Sequence, residues 1–163
     1  MTRTLTILTF ILLITFKSFG QTDTTFVKAD HYKTNEFDVA IFPAIYFDLI
    51  PGQRFTPTRL EIDKAEIALH NNLQTLNKQL VNQSSTPIIH KNLHKYKRQY
   101  FGYINKNGDR ILLINCLWSM DKEDTVLWLT GRIIVHDGGS YYWNIKFNLD
   151  KNELFDLDIN GYA

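Results

Sequence analysis

The chain has 163 residues, of which 18 are basic and 17 acidic, for a formal net charge of +1. That balance gives no overall field to draw in nucleic acid or an anionic membrane, and 44% apolar with 13% aromatic residues excludes a disordered polymer. A single cysteine, Cys116, excludes both an intramolecular disulfide and a cysteine-based zinc site.

The segment Met1–Gly20 has the layout of a secretory signal peptide. Arg3 supplies the positive start, Leu5 to Phe16 the apolar stretch, and Ser18-Phe19-Gly20 a small-x-small cleavage site. The apolar stretch is shorter than the roughly twenty residues needed to span a bilayer as a helix. No cysteine follows it, which disfavours a lipid anchor. Cleavage before Gln21 removes Arg3 and Lys17, leaving 16 basic against 17 acidic residues and a net charge of −1. The expected location is periplasmic or secreted, and there an unpaired Cys116 is expected as a buried apolar residue on a strand.

Residues 21–36 are polar and aperiodic and read as a loose lead before a single domain over 37–163. Phe37 to Ile50 is apolar and β-prone. Pro43 cannot donate to a ladder, so this stretch is an edge strand, a bulged strand or two short pieces, ended by Pro51-Gly52. A helix follows. Either Thr56 caps it with Pro57 at the first helical position, or Thr58 caps it with Glu61 closing a capping box. Ile62, Ala65, Leu69, Leu73, Leu76 and Leu80 then step along one face, until Asn82-Gln-Ser-Ser-Thr-Pro87 breaks the pattern.

The second half reads as strands. Asn107-Gly108 signals a two-residue hairpin joining Lys97–Asn105 to Arg110–Trp118, which pairs Tyr103 with Leu112 and Phe101 with Ile114. Phe101, Tyr103, Leu112, Ile114, Cys116 and Trp118 would then form the core face. Ser119–Thr125 is a charged loop and Val126–Val135 a strand. His136-Asp-Gly-Gly-Ser140 is a turn. Tyr141–Leu149 and a last strand through Phe155, Leu157 and Ile159 alternate apolar with polar residues.

The expected architecture is α+β, one long amphipathic helix packed on a four- to six-stranded antiparallel sheet. Its element order is similar to cystatin-like and NTF2-like folds, which host inhibitors, binding modules, immunity proteins and a few enzymes. More locally, Phe55-Thr-Pro-Thr58, Arg98-Gln-Tyr-Phe-Gly-Tyr-Ile104, Asp137-Gly-Gly139 and Asn160-Gly-Tyr-Ala163 resemble a family of small uncharacterised secreted proteins of Bacteroidota. That resemblance implies compartment and single-domain architecture and carries over no functional residue.

Several residue sets carry candidate chemistry. Ile88 to Arg98 is the densest basic segment, with Tyr96, Tyr100 and Phe101 interleaved; it reads as a solvated connection, and as a phosphate-binding strip in the alternative. His90 and His94 would share a helical face, but Lys91 stands where a metalloprotease motif needs glutamate, so no metal and no cofactor are expected. His136 and Asp137 sit at a turn with Ser140 nearby, the basis of a hydrolase-like alternative. Asp121, Glu123 and Asp124, and the pair Asp156 and Asp158, are carboxylate groupings that fit a solvent-facing edge better than a calcium or glycosidase site. Tyr100, Trp128, Tyr142 and Tyr162 fall opposite the expected core face or at the terminus. They form either an exposed contact surface or one covered by residues 26–50 folding back.

The functional expectation is a non-enzymatic binding module, using Tyr100, Trp128, Tyr142, His136 and Asp137 to contact a protein, peptide or glycan of the cell envelope. An immunity or inhibitor protein working through the 119–125 loop is the other non-enzymatic reading. Nucleic acid as a partner, and a membrane span after signal cleavage, are not expected.

Overall fold

A computed structural model describes residues 27–46, 48–118 and 127–162. Among them the order is β1 (Asp30–Lys33), β2 (Asp38–Phe42), β3 (Arg54–Phe55), α1 (Arg59–Leu76), β4 (Tyr96–Ile104), β5 (Arg110–Trp118), a single helical turn α2 (Leu127–Thr130), β6 (Tyr142–Asn148) and β7 (Glu153–Ile159). The class is α+β: one mostly antiparallel sheet in the order β1-β2-β4-β5-β6-β7, with β3 also paired to β4, and one main helix. No helix among the described residues is long and apolar enough to cross a membrane.

Pro43 explains the first departure from a simple meander. β2 ends at Phe42, directly before the residue that cannot donate, and pairs in parallel with β4 along Lys97–Phe101. β3 takes up the same side of β4 at Gly102 and Tyr103, antiparallel. The apolar stretch is therefore two short pieces, with β2 in the sheet interior. The α1 crossover between β2 and β4 makes the sheet mixed. β1 falls inside the segment read as a loose lead; its exposed Asp30, His31 and Lys33 gave no apolar alternation because it is an edge strand.

Thr58 is the helix cap, because Thr56 is already engaged: its hydroxyl accepts from the Ala44 amide at 2.9 Å. The Thr58 hydroxyl accepts from the Glu61 amide, and the Glu61 carboxylate accepts from the Thr58 amide at 2.9 Å. Arg110 pairs with the same carboxylate. Burial alone would raise the Glu61 carboxyl, but the bonds from Thr58 and Arg110 outweigh it and hold the group below its ordinary range. Its contribution to stability is thus present above the ordinary glutamate pKa and is lost as pH falls through the lowered folded value. Thr58→Ala is expected to cost about 1 kcal/mol in urea unfolding, with Thr58→Ser close to neutral.

Ile62, Ala65, Ala68, Leu69 and Leu73 bury one face of α1 on the sheet, against Val39, Ile41, Tyr100, Leu112, Ile114, Cys116, Trp143, Ile145 and Phe147. The stripe stops there; Leu76 ends the helix at 41% exposure and Leu80 lies beyond it at 40%. Cys116 is fully buried, and burial pushes its thiol pKa up.

The β4–β5 hairpin corrects the expected register. Gly108 has a φ of 87° and donates its amide to the Asn105 carbonyl, while the Asn105 amide donates to the Asp109 carbonyl. This is a three-residue turn over 106–108 rather than a two-residue one. Tyr103 consequently pairs with Ile111, and Phe101 with Leu113. A one-residue slip exchanges the two faces. Tyr96, Arg98 and Tyr100 join Leu112, Ile114 and Cys116 beneath the helix, and Phe101 and Tyr103 go to the opposite face.

That opposite face is a second core. Phe42 stacks on Phe101 at 4.5 Å, and Tyr46, Ile50 and Trp128 close over them. The 127–135 segment expected as a strand is instead one helical turn followed by irregular chain; Val126 and the 119–125 loop lie outside the described residues. In β7 the alternation is interrupted at Asp156, whose φ is 57° and where the register with β6 shifts. Leu154, Leu157 and Ile159 face α1, while Phe155 turns to the second core.

Candidate functional site

The residues expected to form a contact surface are dispersed. Tyr100 is fully buried under α1, and its hydroxyl donates to Glu66 Oε1 at 2.7 Å. Trp128 is fully buried on the other side of the sheet, and Tyr142 is half-buried against the same second core. The aromatic face is therefore covered, in part by Phe42, Tyr46 and Ile50 and in part by the 127–133 segment. His136 and Asp137 are exposed in a turn whose Gly138 has a φ of 85°. Ser140 is buried and bonded to Pro87 and Thr86, so it is not presented as a nucleophile beside them. Asp156 is taken by Lys146, and Asp158 accepts from Asn144 at 3.3 Å. Among the described residues no group of three or more His, Cys, Asp or Glu side chains is placed to hold a metal ion.

A different place in the fold is concave. A groove of about 770 Å³ opens beside α1, walled on one side by Asp63, Glu66, Ile67, His70 and Asn71. Their spacing of three, four, seven and eight residues sets them in one stripe, adjoining the buried stripe of the same helix. The second wall is the β1–β2 turn, Asn35 to Phe37. Its shape comes from Thr34, whose hydroxyl accepts from the amides of Glu36 and Phe37, each at 3.1 Å. The third wall comes from two 3₁₀ turns, Ile89–Lys91 and Leu93–Lys95, which bring His90, Leu93 and His94 to the rim. His90 and His94 are thus not on one continuous helical face.

The floor is Arg98. Counted by sequence among the solvated charges, it is 1% exposed, because the hairpin register turns it under the helix. Its Nη2 donates to the Leu93 carbonyl at 2.7 Å, and its Nε lies 3.5 Å from Glu66 Oε1. Nε and Nη1 are buried with no hydrogen-bond partner among the described residues. Burial raises the Glu66 carboxyl; Arg98 and the Tyr100 hydroxyl oppose that shift and do not cancel it. The Tyr100 phenol is itself raised by burial and by the neighbouring Glu66. Buried polar groups are nearly always paired, so a guanidinium with unmet hydrogens on the floor of a groove is the exception to explain.

The protonation of His90 follows from a chain of bonds. The Ile89 amide can only donate, so the Gln83 atom it meets at 2.9 Å is Oε1. Gln83 Nε2 then donates to the Val81 carbonyl and to Asn77 Oδ1. Asn77 Nδ2 donates one hydrogen to Gln83 Oε1 and the other to His90 Nδ1 at 3.0 Å. Nδ1 must accept, so His90 carries its hydrogen on Nε2. Burial and Lys91 hold its pKa below the ordinary value, in agreement. Long-range ¹H–¹⁵N spectra at pH 7 are expected to show the Nε2–H tautomer, with Asn77→Leu restoring a mixture. A majority Nδ1–H signal in the native protein would contradict the network.

Comparison with protein-family models, with curated proteins and with solved structures finds no match to this chain.

Proposed function

We propose that this chain is exported behind a signal peptide cleaved after Gly20 and serves as a non-enzymatic binding protein of the cell envelope. Its ligand is taken in the groove beside α1 rather than on the aromatic sheet face. The observation that carries this reading is the buried Arg98 guanidinium, whose Nε and Nη1 have no hydrogen-bond partner among the described residues, on the floor of a groove of about 770 Å³. That volume lies within the roughly 300–1,000 Å³ usual for small-ligand sites, and the lining mixes apolar side chains with a few polar groups. A hydrolase built on His136 and Asp137 has no comparable support, since both are exposed on a turn and neither lines the groove. One main helix followed by a four-strand meander supports the comparison with cystatin-like and NTF2-like layers.

Fragment screening by amide NMR tests the site. Bound fragments are expected to shift residues 63–71 and 90–98. Ile67→Arg, at a position 61% exposed on the groove wall, is expected to abolish those shifts without lowering Tm. Shifts clustered instead at the 136–142 turn or along β7 would place the site elsewhere.

A further inference from the structure

The buried side-chain atoms of the groove left without a hydrogen-bond partner among the described residues are donors, Arg98 Nε and Nη1. Arg98 Nη1 has both hydrogens free of protein partners among the described residues, and the bond from Asn77 to His90 Nδ1 leaves Nε2–H as the other donor. A ligand must therefore bring acceptors. Their charge is decided by the surroundings. Glu36, Asp63 and Glu66 line the groove against Lys91 and Arg98, so carboxylates outnumber the lysine and arginine cations there. The Arg98 charge is already faced by Glu66 at 3.5 Å. An anionic ligand would be brought up against a buried carboxylate, which costs more than a surface encounter because the local dielectric is low. Neutral carbonyl oxygens escape that cost and still receive charge-assisted bonds from the guanidinium.

Beside the donors stand three apolar side chains. Ile67 is 61% exposed, and Phe37 and Leu93 are partly buried with edges on the groove. Acceptors without charge that alternate with apolar side chains are what an extended polypeptide offers. On the reading that this groove is the binding site, we infer that it takes a short peptide segment. Uncharged backbone carbonyls of the segment accept from Arg98 Nη1 and His90 Nε2, and an apolar side chain rests on Phe37, Ile67 and Leu93. The groove's size suits a few residues rather than a folded partner.

The test is titration of the purified protein, followed by NMR and calorimetry, with N-acetyl-leucyl-leucine amide, with octanoate and with N-acetylglucosamine. The capped peptide is expected to bind most tightly and to shift residues 63–71 and 90–98. Ile67→Asp and Arg98→Gln are each expected to weaken it about tenfold or more. If Arg98→Gln does not fold, Ile67→Asp and His90→Phe carry the same test, since both positions lie at the rim. Tighter binding of octanoate, or of the sugar amide, would overturn the peptide assignment and leave the groove as the site. Equal peptide affinity in Ile67→Asp would also overturn it. If none of the probes shifts groove residues, both the assignment and the groove reading fail.

Discussion

Arg98→Met is expected to lower the unfolding free energy by about 3–5 kcal/mol at pH 7, because it strands Glu66 as an unpaired buried carboxylate. Glu66 is 8% exposed and Arg98 1%, so water does little to relieve either partner. The companion variant carries the argument. Glu66→Leu, Arg98→Met and Tyr100→Phe together remove both charges and the hydroxyl that would lose its acceptor. That triple is expected to recover most of the loss, since an apolar replacement of a buried ion pair is often near neutral. Loss in the single variant should also depend on pH in a definite direction. Burial already raises the Glu66 carboxyl, and Arg98 is the main influence holding it down. Removing Arg98 raises it further, so the folded state takes up a proton more readily than the unfolded chain. The penalty is then full above the raised folded pKa and shrinks as pH falls toward the ordinary glutamate range. Urea unfolding at pH 7 and pH 5 reads both effects. A triple variant as unstable as the single one would mean that packing, not the stranded charge, sets the cost.

This pair also shows where sequence reasoning stops. The α1 cap and its apolar face could be read because both are local: Thr58-x-x-Glu61 and steps of three and four residues need only one helix to satisfy them. Burial of Arg98 depends on a register. Asn107-Gly108 signals a tight turn in either a two- or a three-residue loop, and only the bond from the Asn105 amide to Asp109 decides between them. A slip of one residue sent Arg98 beneath the helix and Phe101 away from it. The stripe of Asp63, Glu66, Ile67, His70 and Asn71 is present in the sequence with helical spacing. Nothing local marks it as the wall of a groove, because the second and third walls come from the β1–β2 turn and from residues 90–94. The same holds for β1, whose polar composition suits an edge strand as well as a loose lead. No local pattern reports that a distant turn folds over a helix.

Trp128→Ala is expected to cost about 3–5 kcal/mol, the range for deleting a fully buried large aromatic side chain. The reason lies in how the second core is closed. A strand expected over 126–135 would have satisfied its backbone through a ladder; the chain there is irregular and uses side-chain amides instead. Gln99 Nε2 donates to the carbonyls of Trp128 and Gly131, at 2.8 and 2.7 Å. Gln99 Oε1 accepts from the Ile133 amide and from Asn115 Nδ2, and Asn115 Nδ2 also donates to the Ile133 carbonyl. Such a network contributes only while water is kept out, since an open site offers every one of these groups a competing partner. The Trp128 indole is the plug: it is fully buried in the second core, with Lys97 Nζ 4.6 Å from its ring centre and the His31 ring edge-on at 5.5 Å. Without it, the amide of Ile133 is expected to lose protection in hydrogen exchange well before the β5 and β6 amides do. Gln99→Leu separates the two contributions, because it keeps the plug and deletes the amide. That variant should expose the same backbone amide with a smaller loss of global stability. Uniform loss of protection across the sheet in Trp128→Ala would show instead that the two cores unfold as one unit.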